Sequence, residues 1–127
     1  MFGCERQDCI SLSTTEAELV ALARAVQECI FVRKLVAVFM GELDQPTFVF
    51  CDNKGALDLV ANNKTHKRTK HIDIRYHFIR EFIRNGTIEL FYIESAKNIA
   101  DVFTKALPVG TFIGFTRQLF GLVEARA

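Results

Sequence analysis

The chain has 127 residues, half of them hydrophobic, and its 16 Lys and Arg against 15 Asp and Glu leave a net charge of +1. This length suits one domain with a core of its own, and the near-zero charge by itself predicts no partner. No apolar run approaches the roughly 20 residues of a membrane span, and Met1-Phe2-Gly3-Cys4-Glu5-Arg6 lacks the core of a signal peptide. We therefore expect an intracellular, cytoplasmic protein without membrane contacts.

The chain contains four cysteines, Cys4, Cys9, Cys29 and Cys51. Their spacing matches no paired C-x-x-C pattern. Reduced thiols are the favoured interpretation, with Cys29 and Cys51 as small core residues. A zinc site built from Cys4, Cys9 and two of the three histidines stays open as an alternative. The histidines are His66, His71 and His77.

The first part of the chain is predicted to contain the end of a strand and a long helix. Residues 9–12 have the pattern of a strand tail. Ser13 and Thr15 stand three residues before Glu16 and Glu18, which is the spacing of a capping box at a helix start. Apolar residues then recur near the helical period up to Gly41, which predicts a helix over roughly residues 14–40.

The middle of the chain predicts a buried strand followed by two helices. Thr47–Cys51 is almost wholly apolar, which is typical of a strand buried on both faces. A short helix is expected after this strand, to about Ala61. A longer helix is predicted from about Asp73 to Arg84, and Asn85-Gly86 has the composition of its C-cap. The apolar stripe of this longer helix consists of Ile72, Tyr76, Ile79 and Ile83.

The last third of the chain predicts a strand and two helices. The strand covers residues 87–93, with Ile88, Leu90 and Tyr92 on one face. A short helix is expected over residues 98–107 with Asn98 as its N-cap, and Pro108 opens a last helix to about residue 120. The alternation of strands and helices is that of an α/β protein, although three strands make a small sheet for so many helices.

Three carboxylates stand at the ends of these predicted elements, namely Glu18, Asp52 and Asp101. If the fold brings them together, they form a site for Mg²⁺, which prefers oxygen ligands. Each also has a structural interpretation. Glu18 has the spacing of a capping partner of Thr15, Asp101 has that of a partner of Asn98, and Asp52 precedes a short helix that it could cap. Spacing alone does not decide between these roles.

Five phrases that surround the carboxylates occur in the order and at the intervals of one known family. They are Ser11–Leu22 (SLSTTEAELVAL), Cys51-Asp52-Asn53, His66–Phe78 (HKRTKHIDIRYHF), Tyr92-Ile93 and Asn98–Pro108 (NIADVFTKALP). On these phrases the chain resembles the ribonuclease H domain at the C-terminal end of copia-type retrotransposon Pol polyproteins. The resemblance implies a ribonuclease H-like α/β domain over residues 11–122, and it leaves residues 1–10 as an atypical N-terminal segment.

The resemblance implies an endonuclease that cleaves the RNA strand of RNA–DNA hybrids with two Mg²⁺ or Mn²⁺ ions. It assigns Glu18, Asp52 and Asp101 to the second, third and fourth metal ligands of the family. Intact relatives work beside the reverse transcriptase region of the same polyprotein, within virus-like particles. The resemblance therefore predicts an RNA–DNA hybrid as the partner of this chain.

One part of the family pattern has no counterpart. The family's first ligand is an Asp on an opening strand, and the only Asp before Glu18 is Asp8, around which nothing in the motif matches. We therefore expect a partial ribonuclease H-like fold, truncated at its N-terminus, with weak or absent activity of its own. Loss of the neighbouring strands is expected to expose a strand edge and an apolar helix stripe, which favours self-association.

A basic segment contains the candidate nucleic-acid contacts, which are Lys67, Arg68, Lys70, His71 and Arg75. These side chains could neutralise phosphates, or they could form a solvated loop. No aromatic residue lies within 64–71, so base stacking is not indicated. His71 suits a phosphate contact or proton transfer, or a cap of the helix that follows.

Two rival hypotheses stand beside the partial ribonuclease. The first is a non-catalytic module that binds a hybrid or duplex through Lys67, Arg68, Lys70 and Arg75. Salt-dependent binding without cleavage would support it. The second is a decayed retroelement fragment without a selected function. An upstream reading frame that encodes a strand with an Asp would argue against decay.

Overall fold

The computed structural model describes residues 3–62 and 70–122, and the side-chain surroundings of residues 14–62, 70 and 72–122. The chain divides into two compact units, Met1–Tyr92 and Ile93–Ala127. Each unit is described by itself. In the described part of the chain, no helix combines the length and the apolar character needed to cross a bilayer.

The first unit contains three helices and a parallel pair of strands. In chain order these elements are α1 (Gly3–Met40), β1 (Thr47–Cys51), α2 (Lys54–Ala61), α3 (Lys70–Arg84) and β2 (Ile88–Tyr92). Strands β1 and β2 pair in parallel from Thr47↔Ile88 to Cys51↔Tyr92. A parallel pair requires a crossover connection, and α2 and α3 provide it. The predicted positions of both strands and of α2 and α3 are therefore confirmed.

The core of the first unit lies where α1 and α3 pack together. The predicted stripe of α3 is confirmed, because Ile72, Tyr76 and Ile79 are buried and Ile83 packs against them. Helix α1 contributes Leu19, Leu22, Ala23 and Val26, while the other elements contribute Cys51, Ala56, Val60 and Ile88. The spacing of three and four residues along both helices explains this face-to-face contact.

The prediction of a strand tail at residues 9–12 is wrong, because α1 begins at Gly3 and includes these residues. A strand needs a neighbour to satisfy its N–H and C=O groups, and the sheet of the described chain consists of β1 and β2 alone. A helix satisfies the same groups within its own segment. Because Ser13 and Thr15 lie inside α1, neither is an N-cap, and the capping-box interpretation of Glu18 is wrong as well.

The prediction that β1 is buried on both faces is also wrong. Phe48 and Phe50 are 58% and 56% exposed, whereas Cys51 is buried and Val49 is half-buried. The alternation follows from the period of two in a strand. Phe91 of β2 lies beside these two rings, with centroid distances of 5.1 Å to Phe48 and 5.8 Å to Phe50. The three rings thus form one exposed aromatic face of the sheet.

The second unit contains two 3-10 helices, Ser95–Lys97 and Ile99–Phe103, and the helix α4 (Val109–Leu119). The predicted last helix after Pro108 is confirmed, but the single helix over residues 98–107 is replaced by 3-10 turns. Asn98 is the N-cap, as predicted, and accepts a hydrogen bond from the Ala100 N–H at 3.2 Å. Helical geometry is disfavoured for the residue before a proline, so a helix that starts after Asn98 is not expected to continue up to Pro108.

Gly86 ends α3 in a left-handed conformation, with φ at 76°. The Gly86 N–H donates to the Ile83 carbonyl and the Thr87 N–H to the Phe82 carbonyl, which is the Schellman pattern. We expect Gly86→Ala to lower the free energy of unfolding by about 1 kcal/mol, because an L side chain is disfavoured at this φ. Gly86→Asn is the matched control and should lose less, since Asn tolerates this region. Urea denaturation measures both, and equal stability of Gly86→Ala and the wild type would contradict the prediction.

Candidate functional site

The first element of the candidate site is the junction between β1 and α2. Asp52 is half-buried and directly follows Cys51, the last residue of β1. The N-cap of α2 is Asn53, whose side-chain Oδ1 accepts a hydrogen bond from the Ala56 N–H at 2.9 Å. The interpretation of Asp52 as the cap is therefore wrong, because its neighbour has that role. The Asp52 carboxylate lies at the carboxyl end of a parallel strand, where ligands bind in open α/β sheets.

Glu18 reaches the same junction from α1. It is half-buried beside the fully buried Leu19. Thr15 lies one turn earlier on the same face of α1, and a Cβ on Gly55 would come within 3.1 Å of its Oγ1. Helix α1 thus packs closely on the first turn of α2, which places Glu18 near the end of β1.

The Cys51 thiol lies within the electrostatic reach of both carboxylates. Burial raises the pKa of this thiol, and a hydrogen bond with the Asn53 backbone lowers it in part. The negative charges of Glu18 and Asp52 both raise the pKa further. The structure therefore brings Glu18 and Asp52 to one thiol.

The position of Glu18 can be tested through the pKa of Cys51. We expect Glu18→Gln to lower this pKa, because the substitution removes a negative charge that disfavours the thiolate. A pH titration of thiolate absorbance, in a chain that carries Ser at its other cysteines, measures the shift. Glu28→Gln on the exposed part of α1 is the matched control and should leave the pKa unchanged. Equal values in the wild type and Glu18→Gln would show that the two groups are not neighbours.

Asp101 lies in the second unit, at the 3-10 helix that follows Asn98. It is 7% exposed, and the Lys105 ammonium donates to its Oδ2 at 3.0 Å. In a capping box its carboxylate would accept from the Asn98 N–H, but that N–H donates to the Ser95 carbonyl. The capping-box interpretation of Asp101 is therefore not supported, and its role as a metal ligand stays a prediction.

Two of the three candidate carboxylates belong to the first unit. Among the side chains described in this unit, those of residues 14–62, 70 and 72–92, no group of three or more His, Cys, Asp or Glu could hold a metal ion by itself. Glu18 and Asp52 are thus the acidic part of the candidate site in this unit.

Lys54 is a functional candidate that the sequence did not single out. Its ammonium lies 4.7 Å from the centroid of the Tyr92 ring, and Tyr92 pairs with Cys51 across the two strands. Cation–π contact holds an exposed ammonium in place. Lys54 follows Asp52 by two residues. A Lys two positions after an acidic residue at a strand end is the sequence signal that could have identified this candidate.

The basic segment is only partly described. Lys67 and Arg68 lie outside the described residues, as does the side chain of His71. Lys70 is exposed in the first turn of α3, and Arg75 is half-buried. Because α3 begins at Lys70, His71 lies inside the helix rather than at its N-cap.

The structure tests the predictions for two of the four cysteines. Cys29 is half-buried and Cys51 is buried, and both are free thiols. This agrees with their predicted place in or beside the core. The structure describes neither His66 nor the side chains of Cys4, Cys9 and His71. The zinc alternative therefore stays a prediction.

The chain is similar in sequence to polyproteins encoded by transposons. It is 39% identical, over 116 residues, to the retrovirus-related Pol polyprotein from transposon TNT 1-94 of Nicotiana tabacum, a match that covers 91% of the chain. It is 33% identical, over 93% of its length, to the corresponding polyprotein from transposon RE2 of Arabidopsis thaliana. Similarity to the Transposon Ty1-JR2 Gag-Pol polyprotein of Saccharomyces cerevisiae is 31% over 104 residues.

The chain is therefore a homologue of a segment of retrotransposon Pol polyproteins. It spans less than a tenth of the length of these curated relatives, with 9% of the tobacco, 8% of the Arabidopsis and 6% of the yeast protein covered. No protein-family model matches the chain. No solved structure matches it either.

Proposed function

We propose that the chain is the ribonuclease H-like segment of a copia-type retrotransposon polyprotein and acts on the RNA strand of RNA–DNA hybrids. The proposal rests on one observation above all. Asp52 directly follows the end of β1, and α1, which carries Glu18, packs on the first turn of α2, so both carboxylates act on the Cys51 thiol at this junction. The homology to Pol polyproteins supports the same assignment.

The donor set at this junction fits Mg²⁺ or Mn²⁺. Both donors are carboxylates, which are the ligands that these hard cations prefer. Burial is the largest cause of the raised pKa of Cys51, and the negative charges of Glu18 and Asp52 add to it. A bound cation would neutralise these two charges. We propose Glu18 and Asp52 as ligands within the first unit, and Asp101 as a third ligand on the resemblance alone. When bound, such ions supply activation of water and stabilisation of the leaving oxygen in phosphodiester hydrolysis.

The remaining residues of the site would bind and orient the nucleic acid. Lys54 follows Asp52 by two residues and holds its ammonium over the Tyr92 ring, where it could neutralise a backbone phosphate. Lys70, together with Lys67, Arg68, His71 and Arg75, would extend this contact along the hybrid. Phosphate contacts position a nucleic acid without reading its sequence, so we propose recognition of hybrid shape rather than of a base sequence.

The test is cleavage of a hybrid with a labelled RNA strand by the purified chain, with Mg²⁺ or Mn²⁺. We expect slow, metal-dependent cleavage of the RNA strand, because three of the family's four ligands have a counterpart. Asp52→Asn should abolish it, whereas Asp58→Asn, an exposed change in α2, should not. A DNA duplex of the same sequence should stay intact.

Three outcomes would contradict the proposal. Cleavage that persists in Asp52→Asn would show that the carboxylate pair is not the site. Salt-dependent hybrid binding by a folded chain that never cleaves would instead favour a non-catalytic nucleic-acid-binding module. A chain that neither binds nor cleaves would favour a decayed fragment.

A further inference from the structure

The strand β1 has an open edge in the described chain. The sheet has the order β1-β2, so one edge of β1 pairs with β2 and the other has no strand beside it. The Thr47 N–H donates to the Thr87 carbonyl, on the side of β2. Because backbone groups alternate in direction along a strand, the N–H and C=O groups of Phe48 and Phe50 point toward the open edge.

A groove runs along this open edge. It has a volume of about 460 Å³, and its walls come from α1, from the loop at Leu43 and from residues 47–50 of β1. Consecutive strand residues point to opposite faces of a sheet. Because residues 47–50 all line the groove, it must follow the edge of the strand rather than one face. No residue of β2 lines it, which places it on the side away from β2.

One side chain fixes the outer wall of this groove. The Arg33 guanidinium donates from Nη1 to the Gln45 carbonyl at 2.9 Å and to Thr47 Oγ1 at 2.8 Å. It also donates from Nη2 to the Leu43 carbonyl at 2.8 Å. These bonds hold the loop before β1 against α1. The groove is therefore formed before any partner binds, which lowers the entropy cost of binding.

We propose that two copies of this chain associate through the open edge of β1, with their β1 strands antiparallel and centred on Val49. In this register Phe48 of each copy lies opposite Phe50 of the other, and these residues exchange the backbone hydrogen bonds that point to the open edge. The opposed aromatic side chains lie on the same face of the extended sheet, where cross-strand pairs stabilise one another. The two Val49 residues form the central non-hydrogen-bonded pair.

The charge of the surface favours a second copy as the occupant. Strand edges in proteins are commonly protected by charged residues, but Thr47–Cys51 contains none. The groove carries one acid and one base, Glu28 and Arg33, so two identical surfaces do not repel each other through net charge. A strongly acidic or basic partner would find no complementary charge here.

The apolar area is also of the size that a dimer needs. Val32, Leu43, Phe48 and Phe50 lie beside the edge and are each between 41% and 58% exposed. Together they expose roughly 400 Å² of apolar surface, taking about 200 Å² for a Phe side chain. A standard interface buries about 800 Å² per partner, of which somewhat more than half is apolar. The exposed apolar area beside this edge is therefore comparable with the apolar area of such an interface.

Sedimentation equilibrium of the full chain over a range of concentrations tests the proposal, which does not depend on nuclease activity. We expect a reversible monomer–dimer equilibrium. Phe50→Lys should weaken it by about tenfold or more, because it places a charge at the pairing edge. Ile74→Lys, an equally exposed apolar position on α3 (60%), is the matched control and should leave it unchanged. Circular dichroism verifies that both variants are folded.

A second variant tests the register. Val49→Cys should form a disulfide between two copies under mild oxidation, because residues of a non-hydrogen-bonded pair lie close together. Mass spectrometry of the linked peptide identifies the bond, with the wild-type chain and its own cysteines as the control. A chain that stays monomeric at all concentrations overturns the proposal. A dimer that Phe50→Lys leaves intact, or one in which the Val49→Cys residues do not cross-link, overturns it as well.

Discussion

The variant Asp52→Asn is expected to bind Mn²⁺ at least about tenfold more weakly than the wild-type chain. The substitution keeps the shape of the side chain but removes its charge, so a hard cation loses a carboxylate ligand. Glu18 remains in place, beside a thiol whose pKa is raised mainly by burial and further by the two carboxylates. Electron paramagnetic resonance of free Mn²⁺ during a titration measures the affinity directly, without any need for catalysis.

The matched control is Asp58→Asn, which removes the same charge at an exposed position of α2. It should leave the affinity nearly unchanged, because exposed charges at a distance are screened by salt. If Asp52→Asn and Asp58→Asn weaken binding equally, the effect is one of net charge, and the assignment of Asp52 as a ligand fails.

The variant Ile79→Ala is expected to lower the free energy of unfolding of the first unit by about 2–5 kcal/mol. Ile79 is fully buried at the contact between α3 and α1. The substitution removes apolar surface from the core and leaves a cavity, and both changes destabilise the folded state. Urea denaturation followed by circular dichroism measures the change.

Ile74→Ala is the matched control, because Ile74 belongs to the same helix but is 60% exposed. We expect a change within about 0.5 kcal/mol, as is usual for surface substitutions. Similar losses in the two variants would mean that α3 does not pack through the face that contains Ile79.

Local patterns predicted α3 well because its signals all agree. The stripe of Ile72, Tyr76 and Ile79 has the helical period, and Gly86 supplies the left-handed residue that ends the helix. The start of α1 could not be predicted in the same way. Ser13 and Thr15 have the capping-box spacing, but whether a helix starts there depends on whether the preceding residues have a strand to pair with, which is a tertiary property.

The exposure of β1 could not be predicted from the sequence either. An almost wholly apolar segment such as Thr47–Cys51 is typical of a strand covered on both faces. The alternation of exposed Phe48 and Phe50 with half-buried Val49 depends on which elements pack on the sheet. The same uncovered edge and rings are the basis of the proposed self-association.

The sequence singles out Glu18 and Asp52 as candidate ligands but does not give the geometry of their surroundings. The sequence placed Glu18 and Asp52 near element ends, where capping and metal binding are equally reasonable. The structure excludes the capping roles, because Asn53 caps α2 and α1 begins well before Glu18. Metal binding stays a prediction. Lys54 was missed because its significance depends on the pairing of Cys51 with Tyr92, which only the strand register provides.

The central claim is that Glu18 and Asp52 hold one cation together, and a double-mutant cycle of Mn²⁺ binding tests it most directly. The cycle compares the wild type, Glu18→Gln, Asp52→Asn and the double variant, each verified as folded. Because either substitution disrupts the same site, we expect the losses of the two single variants not to add in the double variant. Fully additive losses, or wild-type affinity in both single variants, would contradict the claim.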